Sequence, residues 1–253
     1  MGGNTLILTL TCYNSREDEN YYRAGQDEMR FDCTGVILAG GLNRRFPGRK
    51  KAFRMIGNTM IIEGIYEIFV ELFKEVIIVV NEPQEFAGWN MTLVTDIIPS
   101  RCALAGIHAG LFYASFPYAY VTACDTPFLN PELIQHIVGK IQPGCDVIVP
   151  RTPDGLEPLS AVYSKRCIPR IEENLENNIF MIKKIFRKKK VKEIPVDELQ
   201  NFDPEMRFSF NINTPEDLEI ARQMMAETKK TARGVTYGDD SITGSDETAP
   251  GVS

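Results

Sequence analysis

The chain has 253 residues, 43% of them hydrophobic and 25% charged, with a formal net charge of −6. That is enough chain to bury a sizeable core, and the composition is ordinary for a soluble globular domain. The acidic balance excludes general nucleic-acid binding, whose footprint is a basic face. No apolar run approaches the roughly 20 residues that a bilayer span requires. A cytoplasmic protein with neither nucleic acid nor membrane as partner is expected.

Residues 1–33 differ in character from the remainder of the chain. Leu6 to Cys12 is apolar but too short for a span, and it lacks the basic flank and cleavage site of a leader. Asn14 to Arg30 is polar and without periodicity, which reads as a disordered extension or as a start placed upstream of a true first residue at Met29. The six cysteines are scattered with no C-x-x-C pair, and with two histidines in all they read as reduced thiols rather than a structural zinc site.

Val36 to Ala39 is a short, continuous apolar run, the pattern of a strand buried on both faces of a parallel sheet. Gly40 and Gly41 follow at once, so the chain leaves the strand where no side chain blocks a ligand from the backbone. Arg44, Arg45, Arg49, Lys50 and Lys51 then gather around a Pro47-Gly48 turn, with no acid among them. Backbone N–H groups in such a loop, backed by cations, form an anion-binding concavity, here suited to a polyphosphate. The loop fits neither the Gly-Lys-Ser/Thr phosphate loop nor the three-glycine dinucleotide fingerprint.

A Gly57-Asn58 turn leads to a helix over about 60–69 with Thr59 as its cap. Glu75 to Val80 is the next strand, ending at Asn81, and Met91 to Asp96 a third. The small-residue stretch Ala103 to Leu111 predicts a helix packed closely on a sheet, with His108 as a packed residue rather than a catalytic base. Tyr118 to Cys124 is a strand that stops at Asp125, and Asn130-Pro131 starts a capped helix. Asp146 to Pro150 and Glu157 to Tyr163 read as strands around a Thr-Pro-Asp-Gly turn. A helix is expected over 168–187, its terminal Arg187 to Lys190 favoured by the helix dipole. Short strands at 191–196 and 208–213 precede a last helix, capped by Thr214 and ending near Glu227, and then a disordered tail.

This alternation predicts a mostly parallel, three-layer α/β/α domain over 34–227, between the 1–33 extension and the 228–253 tail. Ligands in such sheets lie beyond the carboxyl ends of the strands. Gly40, Asn81, Asp96 and Asp125 each follow a strand, so they should meet on one rim. An aspartate there, opposite a phosphate loop, suits a Mg²⁺–triphosphate complex, because Mg²⁺ takes one or two carboxylates, phosphate oxygens and waters.

The loop 38–51 (Leu38-Ala39-Gly40-Gly41, then Arg44-Arg45, Gly48 and Lys51) resembles the opening motif of the molybdenum cofactor guanylyltransferases. Cys124-Asp125-Thr126-Pro127, the stretch Gly155…Pro158-Leu159-Ser160-Ala161-Val162-Tyr163, and Asn211-Ile212-Asn213-Thr214-Pro215-Glu216-Asp217 resemble later motifs of that family, in family order over about 34–226. The resemblance implies a Rossmann-like nucleotidyltransferase fold that uses Mg²⁺ to join the GMP part of GTP to molybdopterin, releasing pyrophosphate. It implies GTP contacts at Leu38, Ala39, Gly40, Gly41, Lys51, Asn81, Asp96 and Asp125, with Asp125 as metal ligand and Arg45 and Lys51 neutralising phosphate charge. It leaves the Gly155–Tyr163 stretch and Asn211 and Asn213 as candidates for the pterin side or a second metal contact. Molybdoenzymes or other cofactor-biosynthesis proteins are the partners it suggests.

The chain departs from the family pattern in two places. Cys102-Ala103 stand where Gly-Pro is usual, and Phe46-Pro47-Gly48 make a stiffer loop than the common Met-Gly-Gly. The alternatives are cytidylyl or other nucleotidyl transfer to molybdopterin or to a sugar or lactyl phosphate, and a non-catalytic nucleotide-binding protein that delivers cofactor.

Overall fold

A computed structural model describes residues 30–40, 53–86, 88–187 and 189–234, with side chains to 227. Strands β1 (Phe31–Leu38), β4 (Phe73–Val79), β5 (Thr92–Val94), β6 (Tyr118–Ala123), β7 (Val147–Thr152), β9 (Ser160–Ser164) and β10 (Val191–Ile194) form one sheet in the order β10-β7-β9-β6-β1-β4-β5, with the short β8 (Gly155–Leu156) pairing to β7. Only β8 and β9 run against the rest. A separate hairpin, β2 (Met55–Ile56) and β3 (Thr59–Met60), precedes helix α1 (Ile61–Leu72).

β1 is the centre, flanked by β4 and β6 in parallel register. Because successive strand residues point to opposite faces, its apolar run feeds two cores. On one face Ile37, Ile78, Tyr120 and Ile148 meet α1, α3 (Pro131–Gly139), α5 (Val196–Gln200) and α6 (Pro215–Gly234). On the other, Val36, Leu38, Val79 and Val121 meet α2 (Ala103–Tyr113) and α4 (Ile168–Glu176). This is the expected three-layer architecture. Helix α2 is buried from Leu104 to Leu111 and lies almost flush on the sheet. A Cβ on Gly110 would come within 2.5 Å of Val36 Cγ1, so only glycine permits that approach.

Several expectations need correction. β1 begins at Phe31, inside the stretch assigned to the extension. Thr59 does not cap α1. It belongs to the β2–β3 hairpin around Gly57 (φ 63°), and the Met60 N–H at the helix start is taken by the Glu63 carboxylate at 3.1 Å.

The single helix expected over 168–187 is two pieces. α4 ends in a Schellman motif with Asn178 left-handed (φ 56°), Ile179 N–H donating to Asn174 O at 2.7 Å and Asn178 N–H to Leu175 O at 3.0 Å. A 3-10 turn over Ile182–Phe186 follows, so the basic run does not sit on an α-helix end. Lys189 Nζ instead donates to Arg166 O at 2.6 Å.

The stretch 208–213 is not a strand. Phe208 and Ile212 enter the core while the chain crosses the ends of the sheet, and Ile212 N–H donates to Asp125 O at 2.9 Å. α6 starts as expected, in a box where Thr214 N–H donates to Asp217 Oδ2 at 2.8 Å and Asp217 N–H to Thr214 Oγ1 at 3.1 Å, but it continues to Gly234. Cys33, Cys102, Cys124, Cys145 and Cys167 are free thiols. Among the described residues no helix is long and apolar enough to cross a membrane.

Candidate active site

The sheet register brings the candidate residues together. Leu38 pairs with Val79 on one side and Ala123 on the other, and Val79 pairs with Val94. The ladder runs one residue further through Ala39 N–H to Val79 O (2.8 Å), Val80 N–H to Val94 O (2.9 Å) and Cys124 N–H to Leu38 O (3.0 Å). Gly40, Asn81, Asp96 and Asp125 each lie two positions past that row, the first residues released by four adjacent strands. At about 4.8 Å per strand, Asp125 and Asp96 mark the ends of a row roughly 14 Å long, with Gly40 and Asn81 between them. Arg44, Arg45, Gly41 and Lys51 lie outside the described residues.

Gly40 and Asn81 touch. A Cβ at Gly40 would lie 2.9 Å from Asn81 Oδ1, so glycine is what admits the Asn81 amide to the strand end. Leu38, Gly40, Val79, Asn81 and Asp96 line a narrow pocket with Arg101, Cys102, Ala103 and Gly106 from the start of α2. Arg101, exposed and left-handed (φ 42°), and the α2 entry are not among the candidates read from sequence. Their one sequence signal was the small-residue run that lets α2 lie flush. The departure at Cys102-Ala103 has a structural reading: Cys102 is the N-cap of α2, its Sγ accepting from Ala105 N–H at 3.4 Å.

Neither acid is spent on a helix cap. α2 is capped by Cys102, and α3 by Asn130, whose Oδ1 accepts from Leu133 N–H at 3.1 Å. Burial pushes the Asp96 carboxyl up to about 6, and the nearby His108 charge pulls it back down. Asp96 is therefore mostly ionised at neutral pH yet close to the point of taking a proton. His108 is packed inside α2, 2% exposed, with Nε2 3.0 Å from Glu172 Oε1 of α4.

On the far side of Asp125 a wider groove opens, about 650 Å³, lined by Thr152, Asp154, Arg207, Asn211, Asn213 and Met224 among others. It meets the rim through the Ile212–Asp125 backbone bond and through Thr126 Oγ1, which lies 3.5 Å from Asn211 Oδ1. Asn211 and Asn213 thus fall beside Asp125. The Gly155–Tyr163 stretch is divided: its Gly155 end (φ 128°) stands at the strand ends in the hairpin bordering the groove, whereas Tyr163 is buried in the core and donates to Pro158 O at 2.6 Å.

The donor chemistry fits a nucleotide-bound cation rather than a protein-only cage. Among the described residues no group of three His, Cys, Asp or Glu side chains gathers to hold a metal. Asp125 offers one carboxylate at the rim, and Mg²⁺ completes such a site with phosphate oxygens and water.

Residues 35–192 match the family model for the MobA-like NTP transferase domain. A molybdenum cofactor guanylyltransferase of Desulfosudis oleivorans is 44% identical over 188 residues, covering 74% of this chain and 93% of that protein. A relative from Pelotomaculum thermopropionicum is 40% identical over 202 residues, covering 79% and 97%. The crystal structure of molybdopterin-guanine dinucleotide biosynthesis protein A from Archaeoglobus fulgidus superposes with a TM-score of 0.68 at 29% identity, covering 77% of this chain and 99% of that one. With the parallel rim, the flush α2 and these matches together, the chain belongs to the MobA-like NTP transferase family.

Proposed function

We propose that this protein transfers GMP from GTP to the terminal phosphate of molybdopterin, forming the guanine dinucleotide cofactor and releasing pyrophosphate. One observation supports the reading: Gly40, Asn81, Asp96 and Asp125 stand in one row set by strand register, with a narrow pocket at the Asp96 end and the Asp125 carboxylate at the other.

The attacking group is already anionic at neutral pH, so the reaction needs alignment and charge neutralisation more than a strong base. An oxygen of the acceptor phosphate forms a bond to the α-phosphorus, and the bond from that phosphorus to the bridging oxygen breaks. Pyrophosphate leaves with the electron pair. At the base end, Asp96 as a carboxylate accepts from the adjacent N1–H and N2–H₂ of guanine, a donor pair that cytosine lacks. Asn81, bordering Gly40, contacts the base or ribose. Gly40 lets the nucleotide approach the backbone. Arg101 supplies positive charge at the pocket mouth, and Arg45 and Lys51 are assigned to the triphosphate, with Lys51 beside the leaving pyrophosphate. Asp125 would hold the divalent cation, Mg²⁺. When bound, that ion neutralises phosphate charge at the reacting centre. Asn211, Asn213 and Asp154 would hold the pterin in the open groove, and a molybdoenzyme is the expected recipient of the product.

The test is a nucleotide panel with Mg²⁺, by calorimetry for binding and by pyrophosphate release with molybdopterin as acceptor. GTP should bind and turn over, while ATP, CTP and UTP should do neither. Turnover with CTP or UTP alone overturns the guanylyl assignment, and turnover only with a sugar or lactyl phosphate acceptor overturns the pterin.

A further inference from the structure

The proposed reaction brings two anions together, an acceptor phosphate and a triphosphate, and the acceptor side of Asp125 is rich in acids. The β7–β8 hairpin and the groove beside it carry Asp154, Glu157 and Glu205. Two cations there are already engaged: Arg207 is held by Glu205 at 2.6 Å and Arg151 by Glu193 at 2.7 Å. Lys183 is different. Its side chain is exposed, and among the described residues no carboxylate lies within ion-pair distance of it.

Packing sets the direction of Lys183. It lies in the 3-10 turn over Ile182–Phe186, where Ile185 is fully buried and Ile182 and Phe186 rest on the same core as Tyr163. The Phe186 and Tyr163 rings are 6.3 Å apart, and Tyr163 donates to Pro158 O at 2.6 Å, so the turn is tied to the chain joining β8 to β9. Lys183 Nζ comes within 3.4 Å of the place a Cβ would occupy on Gly155, whose φ of 128° already disfavours a side chain. Glycine leaves the space that the amine overhangs. Glu157, within electrostatic reach of Lys183, is fixed by its N–H to Pro150 O at 2.9 Å and by Oε1, which accepts from Thr152 Oγ1 at 3.2 Å. Thr122 of β6 pairs with Ser160 of β9, and Asp125 and Glu157 each lie three residues past that pair. The amine therefore stands at the same sheet edge as Asp125, on the acceptor side. The later cations are at the other edge, where Lys190 N–H donates to Asp146 Oδ2 at 3.0 Å just before β7 begins.

We propose that Lys183 is an acceptor-binding residue: its amine, held over Gly155 at the sheet edge beside Asp125, receives the phosphate of the incoming acceptor. The inference rests on the reading of this site as one that joins a nucleotide to a phosphate-bearing pterin, and it adds the cation that meets the attacking group. A lysine suits the task because its compact charge sits on a flexible stem and can turn from the field of Glu157 to an arriving anion. Drawing a phosphate to within about 3.5 Å of the α-phosphorus requires charge on the acceptor's side as well as on the triphosphate's. Lys183 transfers no proton. It supplies charge and orientation while the acceptor oxygen bonds to the α-phosphorus and pyrophosphate leaves with the electron pair.

The experiment measures by calorimetry the dissociation constants of molybdopterin and of molybdopterin stripped of its phosphate, with Mg²⁺ and α,β-methylene GTP present to block turnover. The wild type is compared with Lys183→Gln and Lys183→Arg, and pyrophosphate release with GTP is followed on the same preparations. The stripped compound keeps the pterin and loses only the attacking group, so the ratio of the two constants isolates what the protein gives to the phosphate. Lys183→Gln should weaken molybdopterin about 10- to 100-fold, the scale of a charge-assisted hydrogen bond, and leave the stripped compound and GTP within about twofold of wild type. Lys183→Arg, which keeps the charge, should retain most of the preference. Equal weakening of both compounds, or an unchanged ratio with a lowered melting temperature, would reduce Lys183 to a counter-charge for the hairpin acids. A matching loss of GTP affinity would assign it to the triphosphate and overturn the inference. If the wild type releases no pyrophosphate with molybdopterin, the pterin reading fails and this inference with it. If the wild type turns over and Lys183→Gln tracks it in rate and in ratio, the present inference alone fails.

Discussion

The two ends of the strand-end rim are built by different means. The pocket proposed for the base is narrow, framed by the ends of β1, β4 and β5 and by α2 lying flush on the sheet, so its geometry is set by backbone register and by glycines at contact distance. The groove beyond Asp125 is wide and open, framed by the β7–β8 hairpin, the irregular chain from Gln200 to Asn213, and α6. A pocket made of strand ends tolerates little change, because its walls are also the core. A groove made of irregular chain can alter its acceptor contacts without disturbing the sheet. On the proposed reading, nucleotide recognition and acceptor recognition would be divided between these two kinds of structure, with Asp125 where they meet.

The comparison breaks most sharply at the junction. Asp125→Ala should lower turnover about a thousandfold or more, the scale expected when a group that organises transition-state charge is removed. The melting temperature should change little, since Asp125 is half-exposed and its backbone bond to Ile212 does not depend on the side chain. Pyrophosphate release and thermal unfolding on one preparation check both. Activity within tenfold of wild type would remove Asp125 from the mechanism.

At the base end, Asp96→Asn should weaken GTP binding by roughly 30- to 100-fold, since a site built for two donors loses its acceptor charge. The same variant should unfold at a higher temperature than the wild type in the absence of nucleotide at pH 8. The sign follows from burial: the folded-state pKa of about 6 lies above the ordinary carboxyl value, so ionisation costs the folded protein. That cost is complete above about pH 6 and vanishes below about pH 4. Asparagine removes it, and the gain should therefore shrink as pH is lowered to 5. A variant with wild-type stability at both pH values would contradict the buried-charge account.

In the open groove, Asn213→Ala should raise KM for molybdopterin about tenfold, the worth of one hydrogen bond to a charged group, with GTP affinity unchanged. A parallel loss of GTP binding would mean that the two regions are not separable. Gly40→Ala should have the smallest effect, weakening GTP binding about fivefold. Its Cβ would meet Asn81 Oδ1 at 2.9 Å, a flexible side-chain tip that can retreat at a cost of about 1 kcal/mol. Calorimetry on these two variants and on wild type completes the series.

Most of the frame was legible along the chain because buried parallel strands are continuous apolar runs, and Val36 to Ala39 or Val76 to Val80 have no other good reading. The misreadings were local. Phe208-Ser209-Phe210-Asn211-Ile212-Asn213 alternates like a strand, but Phe208 and Ile212 alternate into a core crossed at the sheet's end, where no strand edge offers a ladder. The stretch 168–187 has helical composition throughout, yet Asn178 adopts the left-handed conformation that ends a helix, a role more often signalled by glycine. Thr59 looked like a cap because its partners in the hairpin lie before it in the chain.

Local patterns along the chain were enough to read the sheet's strands, the glycine exit at Gly40 after β1 and the three polar residues, Asn81, Asp96 and Asp125, that follow strand ends, because each depends on neighbours a few residues away. Tertiary structure decided that those four residues stand in one row, that α2 brings Arg101 and Cys102 to the pocket, and that Glu172 reaches His108 across 64 positions of chain. Strand order and helix contact are long-range choices, settled by which faces can bury one another, and they are not written in any single stretch of residues.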